Sequence, residues 1–315
     1  VNIQAVYTQT YNKVRVSLML LMLFVFNTQA DETRILVLES HDSPPYQHTL
    51  EGFQERMNNS RLKPRYHIIS LANKDSQAGI PAYLKNASPQ LIFTLGTPAT
   101  KMAVAQSETV PVVAALIFDA CELKHSGNVT AVMLVHAADT QWRYLRRQLP
   151  DASHIAVMYN PEVSQTTFQS IQKLARRDNI LLNAIPIKTT KELALAIRHL
   201  SPQLDAFWIL DASVFNNAAI RQLLLFSFRN RIPLIGLSAP WVKAGALYAL
   251  DWDYYDMGEQ AADLALKILQ QKQKPSSLSP LHPRTIRPVY NPKTADYMKL
   301  KLDTHTSPPM VEVSP

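Results

Sequence analysis

Apolar positions along this chain gather in short continuous runs separated by longer amphipathic stretches. "RILVLES" (34–40), "RYHIISL" (65–71), "LIFTLG" (91–96) and "VPVVAALIF" (110–118) have the length and β-branched content of buried strands. Helical patterns fall between them, around Leu50–Met57, in or near "IPAYLKN" and after Gly96. After "SGNVTAVML" the alternation restarts. A helix over about 138–149 precedes "HIAVMYN", and the helix over about 164–177 carries Phe168, Ile171, Leu174 and Ala175 on one stripe. "ILLNAIPI", a helix over about 190–200, "LDAFWILD", a helix over about 214–229 and "IPLIGLS" follow. Two βα series end to end predict an α/β protein of two lobes, each a parallel sheet covered on both faces. Open sheets of this kind bind ligands beyond the strand C-termini, so two facing lobes make a cleft there.

One junction stands out. "LIFTLGTPAT" runs from a strand through Gly96 into a helix that Thr97 can cap and Pro98 can open, since proline gives up an N–H that has no helical partner there. A helix start presents free N–H groups and positive potential, which suits a carboxylate or phosphate. An ordinary strand-to-helix turn has the same appearance. The single glycine lacks the spacing of a dinucleotide or nucleoside triphosphate loop. Farther on, Met257, Ala261, Leu264, Ala265 and Ile268 form a helical apolar stripe after the second series, and that stripe needs a sheet face to cover.

Charge and cysteine content narrow the function. The formal net charge of +7 is spread out, with small clusters such as Arg146-Arg147 and Arg176-Arg177, and does not make a nucleic-acid surface. Lys13 and Arg15, the apolar run "VSLMLLMLFVF" and "NTQA" before Asp31 read as a secretory signal cleaved after Ala30. No cysteine lies near that point, so a lipid anchor is not expected and the mature chain is read as periplasmic. Cys121 is the sole cysteine, which leaves stability to the apolar core. No GxSxG, HExxH or phosphate loop occurs, and "DACEL" around Cys121 is no nucleophile motif, so an enzyme is not expected. His41 and His48 lack a positioned third ligand, so neither a metal nor a cofactor is expected.

"TLGTPAT", "VPVVAAL", "GNVTAV", "LPDASHIAVMYNP", "LDAFWILD", "IPLIG", "VKAGAL" and "DMGEQAADLALKIL" occur in the order and spacing of the ABC-transporter substrate-binding protein family. The resemblance covers nearly all of 34–295. It implies a type I periplasmic-binding architecture, two Rossmann-like lobes joined by three crossovers, in a family whose members often bind aromatic amino acids. Lobe 1 would comprise 31–127 plus 253–274, and lobe 2 128–252 plus 275–300, with crossovers near Gly127, Asp251-Trp252 and Pro275–Pro280. Residues 301–315 would be a loose tail. Two stretches depart from the family pattern: "IFDAC" stands where relatives continue with Asp-Pro, and "ESHDSPPYQHT" follows the first strand. Substrate identity therefore does not carry over.

The strand ends that would face the cleft supply the candidate ligand contacts. They are Ser40, His41, Tyr46, Gly96, Thr97, Ala115 and Leu116 from lobe 1, and Tyr159, Asn160, Ser164, Gln165, Asp211 and Ser238 from lobe 2, with Trp252 at a crossover. The resemblance favours Thr97 and the "YNPEVSQ" loop for a ligand carboxylate and Asp211 for a ligand amine. Asp211 could equally cap the next helix, Asn160-Pro161 could equally be a turn, and Tyr46, Tyr159, Trp241 and Trp252 could equally be packing aromatics. The expected function is capture of a small carboxylate-bearing ligand, an amino acid among the candidates, by a monomer that delivers it to an ABC permease. A membrane sensor in the permease's place is the alternative.

Overall fold

The computed structural model describes residues 32–73, 77–118, 127–211 and 213–313. The expected signal, residues 1–30, and Cys121 lie outside them. The first sheet takes β1 (Thr33–Glu39), β2 (Pro64–Ser70), β3 (Leu91–Leu95), β4 (Val112–Ile117) and β5 (Val129–Met133) in the order β2-β1-β3-β4-β5, all parallel. The second takes β6 (His154–Tyr159), β7 (Leu181–Pro186), β8 (Ala206–Ile209), β9 (Leu234–Ile235), β10 (Tyr248–Trp252), β11 (Ile286–Tyr290) and β12 (Val311–Glu312). Its order is β12-β11-β10-β9-β8-β6-β7, and only the β10–β11 pair is antiparallel. Read from the far edge, β7-β6-β8-β9-β10 repeats the order β2-β1-β3-β4-β5. The βα duplication seen in the sequence is thus a duplication in space.

The central strands of both sheets are buried on both faces, which is why they read as unbroken apolar runs, whereas the edge strands β2, β7 and β12 are largely exposed. In β1, Ile35 and Val37 enter one core cluster while Leu36 and Leu38 enter another. In β6, Ile155 and Val157 divide from Ala156 and Met158 in the same way. Helices α1 (Pro44–Asn58), α2 (Ile80–Ala87) and α3 (Thr97–Gln106) connect the strands of the first sheet. In the second, the connections run through α4 (Ala138–Gln148), α5 (Pro161–Arg177), α6 (Thr190–Arg198), α7 (Asn217–Asn230) and α8 (Ala239–Ala244). Helix α9 (Tyr254–Leu269) follows β10, and its apolar stripe of Met257, Ala261, Leu264, Ala265 and Ile268 covers the first sheet. It crosses α1 at backbone contact. A Cβ on Gly52 would strike the Tyr255 carbonyl, and one on Gly258 would strike the Thr49 carbonyl and the Phe53 nitrogen. Helix α10 (Pro292–Met298) closes the second sheet, where Asn291 caps it through Thr294 N–H.

Four expectations shift. Helix α1 begins at Pro44, six residues before Leu50, because Ser43 is its N-cap and "PP" occupies its first turn, a place where missing N–H groups cost nothing. The first crossover lies after Met133, not at Gly127: the "VTAVM" strand is hydrogen-bonded to β4 and its first four residues are buried. Residues 275–281, expected in lobe 2, pack on the first sheet. There Thr130 Oγ1 donates to the Leu278 carbonyl at 2.8 Å, and Leu281 bridges Val132. The tail expected to be loose instead adds β12 to β11 and buries Met310 against the second core.

Candidate functional site

The first sheet gathers Ser40, Tyr46 and Gly96 at one corner. Gly96 is the N-cap of α3, with φ +86°, and Thr97 is the first helical residue, so the expected capping role of Thr97 is corrected. The positive φ favours glycine, and the crowding requires it: a Cβ would lie 2.6 Å from the Tyr46 hydroxyl and 2.8 Å from Ser40 Oγ. Few donors remain for an anion here. Gly96 N–H donates to the Ala115 carbonyl, Thr100 N–H donates to the Gly96 carbonyl, Ala99 N–H donates to Ser40 Oγ at 3.0 Å, and Pro98 has none. Thr97 contributes its own N–H and its half-buried hydroxyl.

His41 is exposed and meets the Tyr46 ring edge-on at 5.7 Å. Burial raises the Tyr46 phenol pKa, which keeps it a neutral hydroxyl. Ala115 and Leu116 are buried; Leu116 sits at φ +59° in a β-bulge, and two residues later the chain delivers Phe118 to the pocket described below.

The second sheet gathers Asn160, Ser164 and Asp211. Asn160 caps α5, its Oδ1 accepting from Glu162 N–H at 3.0 Å. Asp211 is 1% exposed, and its carboxylate accepts from Asn160 N–H at 2.8 Å, from Ser213 N–H at 3.1 Å and from Ser213 Oγ at 2.6 Å. Asn160 Nδ2 closes the ring by donating to Ser213 Oγ at 3.0 Å. Asp211 therefore does not cap α7, a role that falls to Asn216, whose side chain accepts from Ala219 N–H. Tyr159 is buried and stacks on Phe168 at 4.3 Å, as a packing aromatic. Gln165 is half-buried on α5, and Ser238 starts α8 with no side-chain capping bond.

At the C-terminal ends of β8 and β9, beside the end of β10 and the first crossover, lies a pocket. Phe118, Leu134, Val135 and His136 form one wall, while Trp208, Leu210, Leu237, Tyr248, Leu250 and Trp252 are among the residues of the other. Trp252 is the one expected contact among its lining residues, yet Leu210 and Leu237 directly adjoin Asp211 and Ser238. Trp208, Ile209 and Leu210 line the pocket in succession, as do Ile235, Gly236 and Leu237, each run ending one residue before Asp211 and Ser238. A chain of aromatics links it toward the Gly96 corner: Trp252 lies 6.2 Å from Tyr254, whose phenol pKa burial raises, with Asp251 and Tyr46 adding to the shift.

His136 was missed. It is 5% exposed, stacks on Trp252 at 5.7 Å and 11°, and its Nε2–H donates to the Leu250 carbonyl at 3.0 Å, tying the first crossover to β10. A lone histidine ending an apolar run, as in "VMLVH", gives no sequence pattern of its own. His282 Nδ1 ties the third crossover to the first through the Val135 carbonyl at 2.7 Å. Among the described residues no group of three or more His, Cys, Asp or Glu side chains is placed to hold a metal ion, and His41 and His48 are both exposed.

Known proteins resemble this arrangement closely enough to classify it. A tyrosine-binding protein of Clostridioides difficile (strain R20291) is 25% identical over 192 residues, which is 58% of this chain and 55% of that one, so the match spans little more than half the relative's length. The ligand-free, open structure of a substrate binding protein with adhesive properties from Clostridium difficile superposes with a TM-score of 0.71 at 17% identity, over 89% of this chain and 99% of the other. A domain from Streptococcus pneumonia in complex with L-Trp gives a TM-score of 0.64 at 18% identity, over 89% and 100%. These likenesses show a shared two-lobed fold of the type I periplasmic-binding kind. The model of the ABC transporter substrate binding protein family matches residues 33–307, nearly the whole chain. This chain is a member of that family, a solute-binding protein and not an enzyme.

Proposed function

We propose that this protein captures a small amino-acid-like ligand bearing a carboxylate between its two lobes in the periplasm and presents it to an ABC permease. The observation that carries the reading is the pocket where three crossovers pass the strand ends, walled by aliphatic and aromatic side chains with a few polar groups at its margin. Such a pocket suits an apolar side chain better than a sugar, which needs many polar partners. The tyrosine and L-Trp named for two similar proteins are apolar-bodied amino acids of this kind. Ligand contacts to both lobes would favour a closed state by the ligand's differential affinity for it, and the crossovers tied by His136 and His282 are the hinge. Among the described residues no helix is long and apolar enough to cross a membrane.

Thermal shift and calorimetry against amino acids, short peptides, sugars and nucleosides test the reading. An amino acid at a hundred times its dissociation constant should add about 2.7 kcal/mol of stability. Stabilisation by sugars or nucleosides alone would overturn it.

A further inference from the structure

The two edges of the first sheet are finished differently. Along β5, Met133 N–H donates to the Leu281 carbonyl at 2.8 Å, Leu281 N–H donates to the Ala131 carbonyl at 2.8 Å, and Thr130 Oγ1 donates to the Leu278 carbonyl, so residues 278–281 cover that edge. The opposite edge is β2. Its ladder with β1 starts where Thr33 N–H donates to the Lys63 carbonyl and ends where Leu71 N–H donates to the Glu39 carbonyl. Residues that bond to one neighbour alternate along a strand, so Arg65, His67 and Ile69 bond to β1 while Tyr66, Ile68 and Ser70 turn their N–H groups away from it. Those three N–H groups and the Tyr66 and Ile68 carbonyls have no hydrogen-bond partner among the described residues. Pro64, with no N–H to offer, stands first in the strand, as edge strands allow, and Ile68 at its middle is 46% exposed.

This edge is also basic. Arg61, Lys63 and Arg65 are exposed, and Arg34 stands level with Arg65 on the neighbouring strand. Among the described residues the one acidic side chain paired with any of them is Glu32, 3.0 Å from Arg65. A second copy laid edge to edge would bring the same cations together, which is how basic side chains guard an edge against self-pairing. A strand carrying carboxylates meets no such barrier. On the face that Lys63 and Arg65 share, a hollow of about 500 Å³ lies between β2 and α2, with His67, Ile69, Ala82, Tyr83 and Asn86 in its wall, and it leaves room for the side chains of an added strand. We propose that the β2 edge docks an acidic, extended segment of a partner protein, which joins the first sheet as a further strand. Its carboxylates lie on the α2 face against Lys63 and Arg65, and the residues between them lie beside Tyr66 and Ile68. No residue is shared with the wall of the ligand pocket, so docking does not require ligand.

The test uses a labelled, acetylated Glu-Val repeat of seven residues, the length of β2, with Gln-Val and Lys-Val repeats as controls and fluorescence anisotropy on the purified chain. The Glu-Val repeat should bind about tenfold tighter than the Gln-Val repeat or more. Bound peptide should slow hydrogen exchange at the Tyr66, Ile68 and Ser70 amides about tenfold or more, which attraction between charges alone would not do. Ile68→Pro removes an outward N–H without touching the β1 ladder and should weaken the Glu-Val repeat about tenfold. Lys63→Glu should weaken it about tenfold as well and improve binding of the Lys-Val repeat. Melting curves check that both variants fold; if Ile68→Pro does not, the exchange measurement and Lys63→Glu decide. Equal affinity for the Glu-Val and Gln-Val repeats would overturn the proposal, as would binding that leaves the three amides unprotected, or no binding up to about 1 mM peptide. Sedimentation showing that the chain alone forms a dimer which Ile68→Pro dissolves would assign the edge to a second copy and overturn the acidic partner.

Discussion

The corner of the first sheet at Ser40 and Gly96 and the corner of the second at Asn160 and Asp211 occupy equivalent places, after the second and third strands in order from matching edges. They are joined by hydrogen bonds that run in opposite directions. In the first sheet the side chain after β1 reaches across: Ser40 Oγ accepts from Ala99 N–H in the helix that follows β3. In the second the side chain after the β3 equivalent reaches back: Asp211 accepts from Asn160 N–H, after the β1 equivalent. One corner is fixed by a single hydroxyl and a glycine packed against tyrosine, the other by a buried carboxylate with three donors. A duplicated topology thus keeps the strand order and the link between corners, while the chemistry of the link is free to differ. The carboxylate corner spends its polar capacity on holding its own loop.

The sharpest way to break the comparison is Asp211→Ala. It removes the acceptor for one buried N–H, one part-buried N–H and one hydroxyl, and the second corner should lose about 3 kcal/mol of folding stability. Urea unfolding measures it. A loss under about 1 kcal/mol would mean that Asp211 is not the loop's anchor and that its carboxylate is available for a ligand amine.

What the sequence disclosed follows the same division. The strands, the duplication and the α9 stripe were legible because each is a periodic apolar signal over many residues, and "TRILVLE" buried on both faces has no other reading than a covered parallel strand. The first crossover was misplaced because "VTAVM" is as apolar as its neighbours, and only pairing with β4 shows which sheet owns it. The tail differs from expectation because β12 is two residues long and the buried Thr306 and Met310 make no periodic apolar signal. At the site, the pocket takes the last residues of the apolar runs before Asp211 and Ser238, which apolar patterning assigns to the core, and His136 carried no pattern at all.

The first corner should respond more weakly, in two steps. Gly96→Ala places a Cβ at φ +86°, within 2.6 Å of the Tyr46 hydroxyl and 2.8 Å of Ser40 Oγ, and should cost about 2 kcal/mol. Ser40→Ala removes only the acceptor for Ala99 N–H and should cost about 1 kcal/mol, the range of a lost helix cap. If Ser40→Ala proves as costly as Asp211→Ala in the same urea titration, the two corners are held with equal strength and the contrast between them fails.

Thr97→Ala should have the smallest effect on folding, within about 0.5 kcal/mol, because Gly96 and not Thr97 is the cap and the Thr97 side chain is only half-buried. That neutrality makes it a clean probe of binding. With Ala99 N–H taken by Ser40 and Pro98 lacking one, the Thr97 N–H and hydroxyl are what this corner has left for a carboxylate. Removing the hydroxyl should weaken an amino acid ligand by about 1.5 kcal/mol, roughly tenfold, the low end for a hydrogen bond to a charged group. Calorimetry on the folded variant, with the ligand found in the screen, reads this directly. Unchanged affinity with unchanged stability would mean that the Gly96 corner is a packing device in which Tyr46 and Ser40 close over a glycine. The ligand's carboxylate would then be held from the second sheet, where Ser238 starts α8 with its hydroxyl uncommitted to capping.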